Sequence, residues 1–315
     1  MSSIKVSFFG KFNLAYGEKG AYAIRARKVQ ELFVYLIMFR NHPQPRESLS
    51  EVLWADQSVP KSRKNLRQTL WHLQSVLKKT QNSSGLEIFV DDGWVHIDFP
   101  TDFWLDIAEF EQIFDLVNQK RVRDLSVEDF KAMQYAVDLY KGDLLEGWYQ
   151  DWCIFERERF QMMYLMLLDK LVQYCEVHNE YDAGLSYGWQ ILRQDHAYER
   201  AHRQMMRLYS MSGNRTQALH QYQRCVDALR NELGVEPSAG TKQLYEQIQS
   251  DTFMPTLFAL KRVDSNKVEV APVFEDVLNR LEQLSLTLKR METQVQQEIV
   301  ALENMLANQV NRSCR

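Results

Sequence analysis

Apolar side chains recur along most of this chain with the 3.6-residue period of α-helices, and the stretches that depart from it cluster in the first hundred residues. IKVSFFG and KFNLAY read as short β-type runs, with GEKG supplying a turn before AYAI. ARKVQELFVYLIMFRN predicts a helix with Val29, Leu32, Phe33, Leu36 and Ile37 on its inner face, and RESLSEVLW, after HPQP, predicts a shorter second one. A third runs from Pro60 to Lys79, where Leu66, Leu70, Leu73 and Leu77 mark one stripe, with Ser58 placed to cap it and Pro60 in its first turn. LEIFV and WVHID flank Asp92-Gly93, a strong two-residue turn signal, and predict a hairpin. Strands, three helices and a closing hairpin compose a winged helix-turn-helix over residues 1–100.

From Asp102 to about Ser250 the pattern is helical with short breaks. HNEYDAGLSY and GNRTQALHQY align Tyr181 with Arg215, Gly184 with Ala218 and Leu185 with Leu219, each 34 residues apart, which is the tetratricopeptide period. The small residues sit where paired helices approach closely, and the long helix around ERERFQMMYLMLLDKLVQYCEVH completes a stack that two copies alone would not stabilise. A tetratricopeptide-like domain is therefore expected at 101–250. Pro255, Pro272 and the polar run KRVDSNK mark 251–272 as a linker. Beyond it a heptad of mostly apolar a and d positions, from Phe274 to Met305 with Glu298 at a d position, predicts a coiled coil at 273–310 that joins copies of the chain. One amphipathic helix folded back on the helical domain is the alternative. The fold class expected is mainly α.

Charge alters this picture. Residues 1–100 hold fourteen Lys and Arg against nine Asp and Glu, a balance of +5 that leaves −9 for the rest of a chain of net charge −4. A basic head on an acidic body is the pattern of a protein that meets a polyanion at one end. Much of the excess lies on the third helix, which carries six Lys and Arg from Pro60 to Lys79 and no acid. Most basic faces are simply solvated, but surface faces normally mix signs. In a winged helix the third helix enters the major groove and the hairpin touches the backbone or minor groove nearby. Lys64, Arg67, Gln68, Trp71 and His72 form the expected groove-facing set, with Lys61 and Arg63 beside them. Arg25, Arg27 and Lys28 before the first helix, and Lys78 beyond, are further candidates for phosphate. Trp71 either packs on its neighbours or meets a thymine methyl or sugar.

Other chemistry is sparse. Cys153, Cys175, Cys225 and Cys314 are scattered without a CxxC pair, so reduced, structural thiols are expected. His196 and His202, six apart in a helical segment, would point about 240° apart and do not form a metal pair. Asp91 and Asp92 belong to the hairpin turn, and ERER at Glu156 to Arg159 to a solvated face. No catalytic group, cofactor or metal is expected. The longest apolar run, Leu32 to Phe39, falls far short of the ~20 residues that span a bilayer. With no signal-peptide pattern, a cytoplasmic protein with no membrane partner is expected.

Several of these blocks carry a resemblance. IKVSFFGKFNL, LWADQSVPKSRKNLRQTLWHLQSVL and the hairpin resemble the DNA-binding half of the bacterial transcriptional activators of the antibiotic-regulatory type. YKGDLLEGWYQDWCIFERERF, GNRTQALHQYQRCVDALRNELGVEPS and TKQLYEQI are similar to the activation domain that follows it, so the resemblance covers about residues 4–249 in the family's order. It implies binding to repeated sites in double-stranded promoter DNA and engagement of RNA polymerase, with the Ala55 to Pro60 loop as a polymerase contact. Family recognition helices often carry a second arginine cluster where this chain has Trp71, His72 and Gln74, so no target sequence carries over. No receiver domain ahead of the winged helix and no GxxxxGK[ST] nucleotide loop are expected. Two functions of different class follow: a sequence-specific DNA-binding regulator, or a scaffold whose helical groove binds a peptide or regulatory protein, with DNA secondary.

Overall fold

The computed structural model describes residues 4–16, 24, 26–80 and 86–253. Arg25, the expected coiled coil at 273–310 and all but the first three residues of the 251–272 linker lie outside them.

Alternating apolar residues make Ile4–Ser7 (β1) a half-buried strand, and a turn through Gly10, at φ 80°, brings Asn13–Tyr16 (β2) back antiparallel to it. Helix α1 (Arg27–Met38) buries more than the predicted inner face. Val34 and Tyr35 are enclosed as well, because LFVYLIM is apolar all round and such a helix belongs inside a core. Strand β3 (Gln44–Pro45), helix α2 (Arg46–Leu53) and helix α3 (Val59–Thr80) follow, then the hairpin of β4 (Glu87–Asp91) and β5 (Trp94–Asp98). At the hairpin turn Asp92 and Gly93 both have positive φ, 42° and 86°, which is the geometry a two-residue loop requires. The HPQP connection contributes β3, which pairs antiparallel with β5, so the wing has three strands in the order β3-β5-β4. These elements compose the winged helix-turn-helix expected from the sequence.

Helices do not begin directly after Asp102, as the sequence predicted. Phe103–Leu105 form a strand, β6, parallel to β1 and completing the sheet β2-β1-β6. Three residues are too few to show a period of two, and their partner lies about a hundred positions away in sequence, so pairing rather than local preference makes this strand. At its end Asp106 is buried and accepts hydrogen bonds from the backbone N–H groups of Phe8 (2.8 Å), Phe9 (2.9 Å) and Ile107 (2.8 Å). A second splice lies nearby. Phe8 O accepts from Leu145 N, Gly10 N donates to Asp143 O, and Arg157 holds the carbonyls of Leu144, Leu145 and Trp148. One hydrophobic core consequently runs unbroken from Ile4 to Leu208, and the described residues form one compact unit.

The body is helical throughout: α4 (Asp106–Asn118), a 3-10 turn at Val122–Asp124, α5 (Val127–Leu139), α6 (Asp151–His178), α7 (Tyr181–Gln194), α8 (Glu199–Met211), α9 (Arg215–Leu233) and α10 (Ala239–Gln249). Asn179 and Gly234, both left-handed, end α6 and α9. The repeat residues pack as tetratricopeptide-like pairs. A Cβ on Gly184 would stand 2.9 Å from Leu208 Cδ1 and 3.1 Å from Cys175 Cβ, and Ala218 is fully buried in the equivalent place. Gly184→Val is accordingly expected to cost about 1–3 kcal/mol by overpacking α7 against α6 and α8. Urea unfolding checks this, and an unchanged midpoint would contradict the packing described.

Candidate nucleic-acid interface

Helix α3 divides cleanly between core and solvent. Leu66, Leu70, Leu73 and Leu77 are all less than a tenth exposed, and the Ser58 carbonyl accepts from the first free N–H groups, those of Lys61 and Ser62. At 100° per residue, Lys61, Lys64, Gln68, Trp71 and His72 lie within about 50° of the direction opposite the leucine stripe, with Arg67 and Lys78 flanking them. All seven are exposed, and none of the charged ones has a hydrogen-bond or ion-pair partner among the described residues. Trp71 is 69% exposed, which removes packing on its neighbours as the reason for its presence. A large indole held in water is free to meet a partner's apolar edge. Gln74, in contrast, turns inward and donates to the Ile88 carbonyl, tying α3 to the wing.

Three cations are placed differently. Arg63 sits at the edge of the face and pairs with Glu47 of α2 at 2.5 Å; with both side chains exposed, such a pair adds little stability and is readily exchanged for another anion. Lys28 is employed structurally. Its ammonium donates to Glu31 (2.6 Å) and to the Leu53 carbonyl at the end of α2 (2.9 Å), and lies over the Trp54 ring. Arg27, largely exposed, reaches the same Glu31, which is only 2% exposed and also accepts from Gln150 in the body. In the loop Ala55 to Pro60, Gln57 accepts from Asn65 of α3, while Ala55, Asp56, Ser58, Val59 and Pro60 are exposed.

Two residues join this surface that the sequence did not single out. Arg46, the first residue of α2, and Trp94, the first after the hairpin turn and 48% exposed, line a hollow of about 450 Å³ with Arg63, Leu66, Arg67 and Gly93. The backbone N–H of Arg46 donates to the Gly93 carbonyl, so wing and α2 are held together around this hollow. Their signal was position alone: Arg at a helix start and Trp beside a tight turn. The wing tip itself carries exposed Asp91 and Asp92, which repel phosphate, so the contacts the wing can offer are apolar ones, from Trp94 and from the exposed Phe89 and Val90 of β4. The arrangement as a whole can neutralise phosphates along one ridge and present Gln, Arg and indole groups to base edges.

Elsewhere the histidine expectation needs correction. His196 lies in the turn between α7 and α8 rather than on one helix with His202, and its carbonyl meets His202 Nε2 at 2.9 Å. Burial holds the His202 imidazole below its usual range, and its other nitrogen meets Gln221, so it is a core hydrogen-bonding residue. Among the described residues no group of three or more His, Cys, Asp or Glu is placed to hold a metal ion, and no helix is long and apolar enough to cross a membrane. Cys153, Cys175 and Cys225 are free and buried, and burial pushes the Cys153 thiol up to about 11.

Comparison with known proteins adds to the geometry. Residues 105–249 match the family model of the bacterial transcriptional activator domain. In fold the chain is similar to Mycobacterium tuberculosis EmbR, solved in complex with a low-affinity phosphopeptide, at TM-score 0.64 and 14% identity over 81% of this chain and 67% of that one. The C-terminal TPR-containing domain of a Plasmodium falciparum FK506-binding protein matches at TM-score 0.33 and 11% identity over 50% of this chain and 91% of that one. No curated protein matches in sequence.

Proposed function

Because residues 105–249 match the family model of the bacterial transcriptional activator domain, we propose that the chain is a sequence-specific DNA-binding transcription regulator that works as an activator. Residues 1–100 serve as the docking unit and 101–250 as the body that handles protein contacts. The observation that carries this reading is the exposed, acid-free face of α3, whose charged side chains opposite a fully buried leucine stripe have no partner among the described residues. Lys61, Lys64, Arg67 and Lys78 neutralise phosphates, Gln68 and His72 reach base edges, and Trp71 meets a thymine methyl or sugar. Arg27, Arg63 and Arg46 add phosphate contacts from the flanks. Lys28 contributes by holding α1 against α2, with its charge directed into the protein. The exposed Ala55–Pro60 loop is the proposed contact with RNA polymerase, and the heptad positions Phe274 to Met305 are the proposed route to self-association.

Selection of bound fragments from a genomic DNA library by the purified chain, at near-physiological salt, tests the proposal. Enrichment of a shared motif is expected, with log affinity falling against log salt by roughly 0.9 per phosphate neutralised. Retention of no fragment above competitor DNA would leave the scaffold reading in its place.

A further inference from the structure

Helix α6 presents a row of large apolar side chains to solvent. Phe155 is 69% exposed, Met162 64% and Met166 47%, at spacings of 7 and 4 that place them on one side of the helix. Scattered surface apolar residues need no explanation, but a helical stripe of them does. Phe155 to Met166 spans about 16 Å, three turns of helix. Met166 then enters a hollow of about 720 Å³ between α4, the 3-10 turn, α6 and the start of α8, where Phe114 and Val177 extend the apolar surface.

The rim of this hollow is basic although the chain beyond residue 100 is strongly acidic. Lys120, Arg121, Arg123, Lys170 and Arg200 line it against one carboxylate, Asp169. Asp169 is committed to Arg200 (2.8 Å), Gln173 and Gln204, and the nearby Asp129 and Asp124 pair with Lys120 and Arg121. Two positive charges have no ion pair among the described residues. Arg123 is exposed with no ion-pair partner among the described residues, and Lys170 donates only to the carbonyls of Val117, Asn118 and Lys120 at the end of α4. An apolar lane leading into a cationic hollow fits a ligand with an apolar stripe and a negative end. Methionine suits such a surface because its unbranched side chain repacks around different anchors.

We propose that the lane of Phe155, Met162 and Met166, with the hollow rimmed by Arg123 and Lys170, docks an acidic amphipathic helix of a partner protein. Apolar anchors at i, i+4, i+7 and i+11 lie along the lane, and carboxylates at one end of the helix meet the rim. This does not depend on the DNA reading.

The test uses two fluorescein-labelled peptides of about four helical turns, each with Leu at those anchor positions, one with Glu and one with Lys elsewhere. Anisotropy titrations against the full chain are expected to show saturable binding of the Glu peptide alone. Arg123→Glu, and separately Met162→Asp with Met166→Asp, are expected to weaken it at least about tenfold, or 1.4 kcal/mol. All these side chains are exposed, so thermal unfolding should match the wild type and confirm that the variants are folded. Binding of neither peptide, equal binding of both, or indifference to the substitutions would overturn the proposal. So would an oligomer, seen by sedimentation, that dissociates when Met162 and Met166 are changed, because the lane would then be covered by a second copy of the chain.

Discussion

Lys64→Ala combined with Arg67→Ala is expected to weaken DNA binding by on the order of a hundredfold or more while leaving thermal unfolding unchanged. Both side chains project from α3 away from the leucine stripe, both are exposed, and neither has a partner within the described residues, so their loss removes no intramolecular contact. Each amino or guanidinium group that neutralises a phosphate contributes roughly 0.9 to the salt slope, so the double variant should show a slope shallower by about 1.8. Should either reach a base edge, a further 1–3 kcal/mol of discrimination goes with it. Filter binding across a salt series reads both quantities. An unfolded double variant would show that the face is built into the core after all, and an unchanged slope would move the phosphate contacts to Arg46, Arg63 and Arg27.

Asp106→Ala carries the largest expected effect on stability. Its carboxylate satisfies the buried N–H groups of Phe8, Phe9 and Ile107, and alanine would leave all three without acceptors where water does not reach. At about 1–3 kcal/mol for each orphaned group, the loss approaches the whole stability of an ordinary domain. The variant should unfold far below the wild-type midpoint, or fail to fold at 37 °C, and urea denaturation at neutral pH measures this. pH supplies a second readout. Burial pushes the Asp106 carboxyl up to about 6, against the pull of the Phe9, Phe8 and Ile107 N–H groups. The native state therefore takes up a proton that the unfolded chain releases near pH 4. The associated stability is full below about pH 4 and is lost as pH rises through about 6. Asp106→Asn cannot titrate, so the stability of the wild type relative to it should fall between pH 4 and pH 7. A pH-independent difference would assign the carboxyl an ordinary value.

These three residues also show what a sequence discloses. The exposure of Lys64 and Arg67 was legible because their environment is local: four leucines at helical spacing fix which way every other side chain on α3 points. The wing's tight turn was equally plain from Asp92-Gly93, and the repeat from Gly184 and Ala218. Asp106 was not legible, because its partners lie 97 and 98 positions away and nothing near it marks it as buried. β3 and β6, of two and three residues, were missed for the same reason: such strands exist only through β5 and β1. Lys28 shows the limit within the candidate surface. It lies beside Arg27 in the first turn of α1, where the sequence had placed both ahead of the helix, yet Glu31, a buried acid on a helix that was expected to be amphipathic, turns its charge inward.

The splice of Phe8, Phe9 and Gly10 onto Asp106 and onto Asp143–Glu146 bears on how this molecule can be recombined. A fragment cut at residue 100 would lose β6 from the first sheet and leave Phe9 facing solvent in place of its neighbours Phe110, Tyr140 and Phe160. Grafting the N-terminal hundred residues onto a foreign body would require the acceptor to supply an equivalent carboxylate and an equivalent 143–148 turn. The N-terminal unit is thus not a detachable cassette, and on the proposed DNA-binding reading a change of target is reached more readily by altering side chains on the outer face of α3 than by exchanging the N-terminal hundred residues as a block.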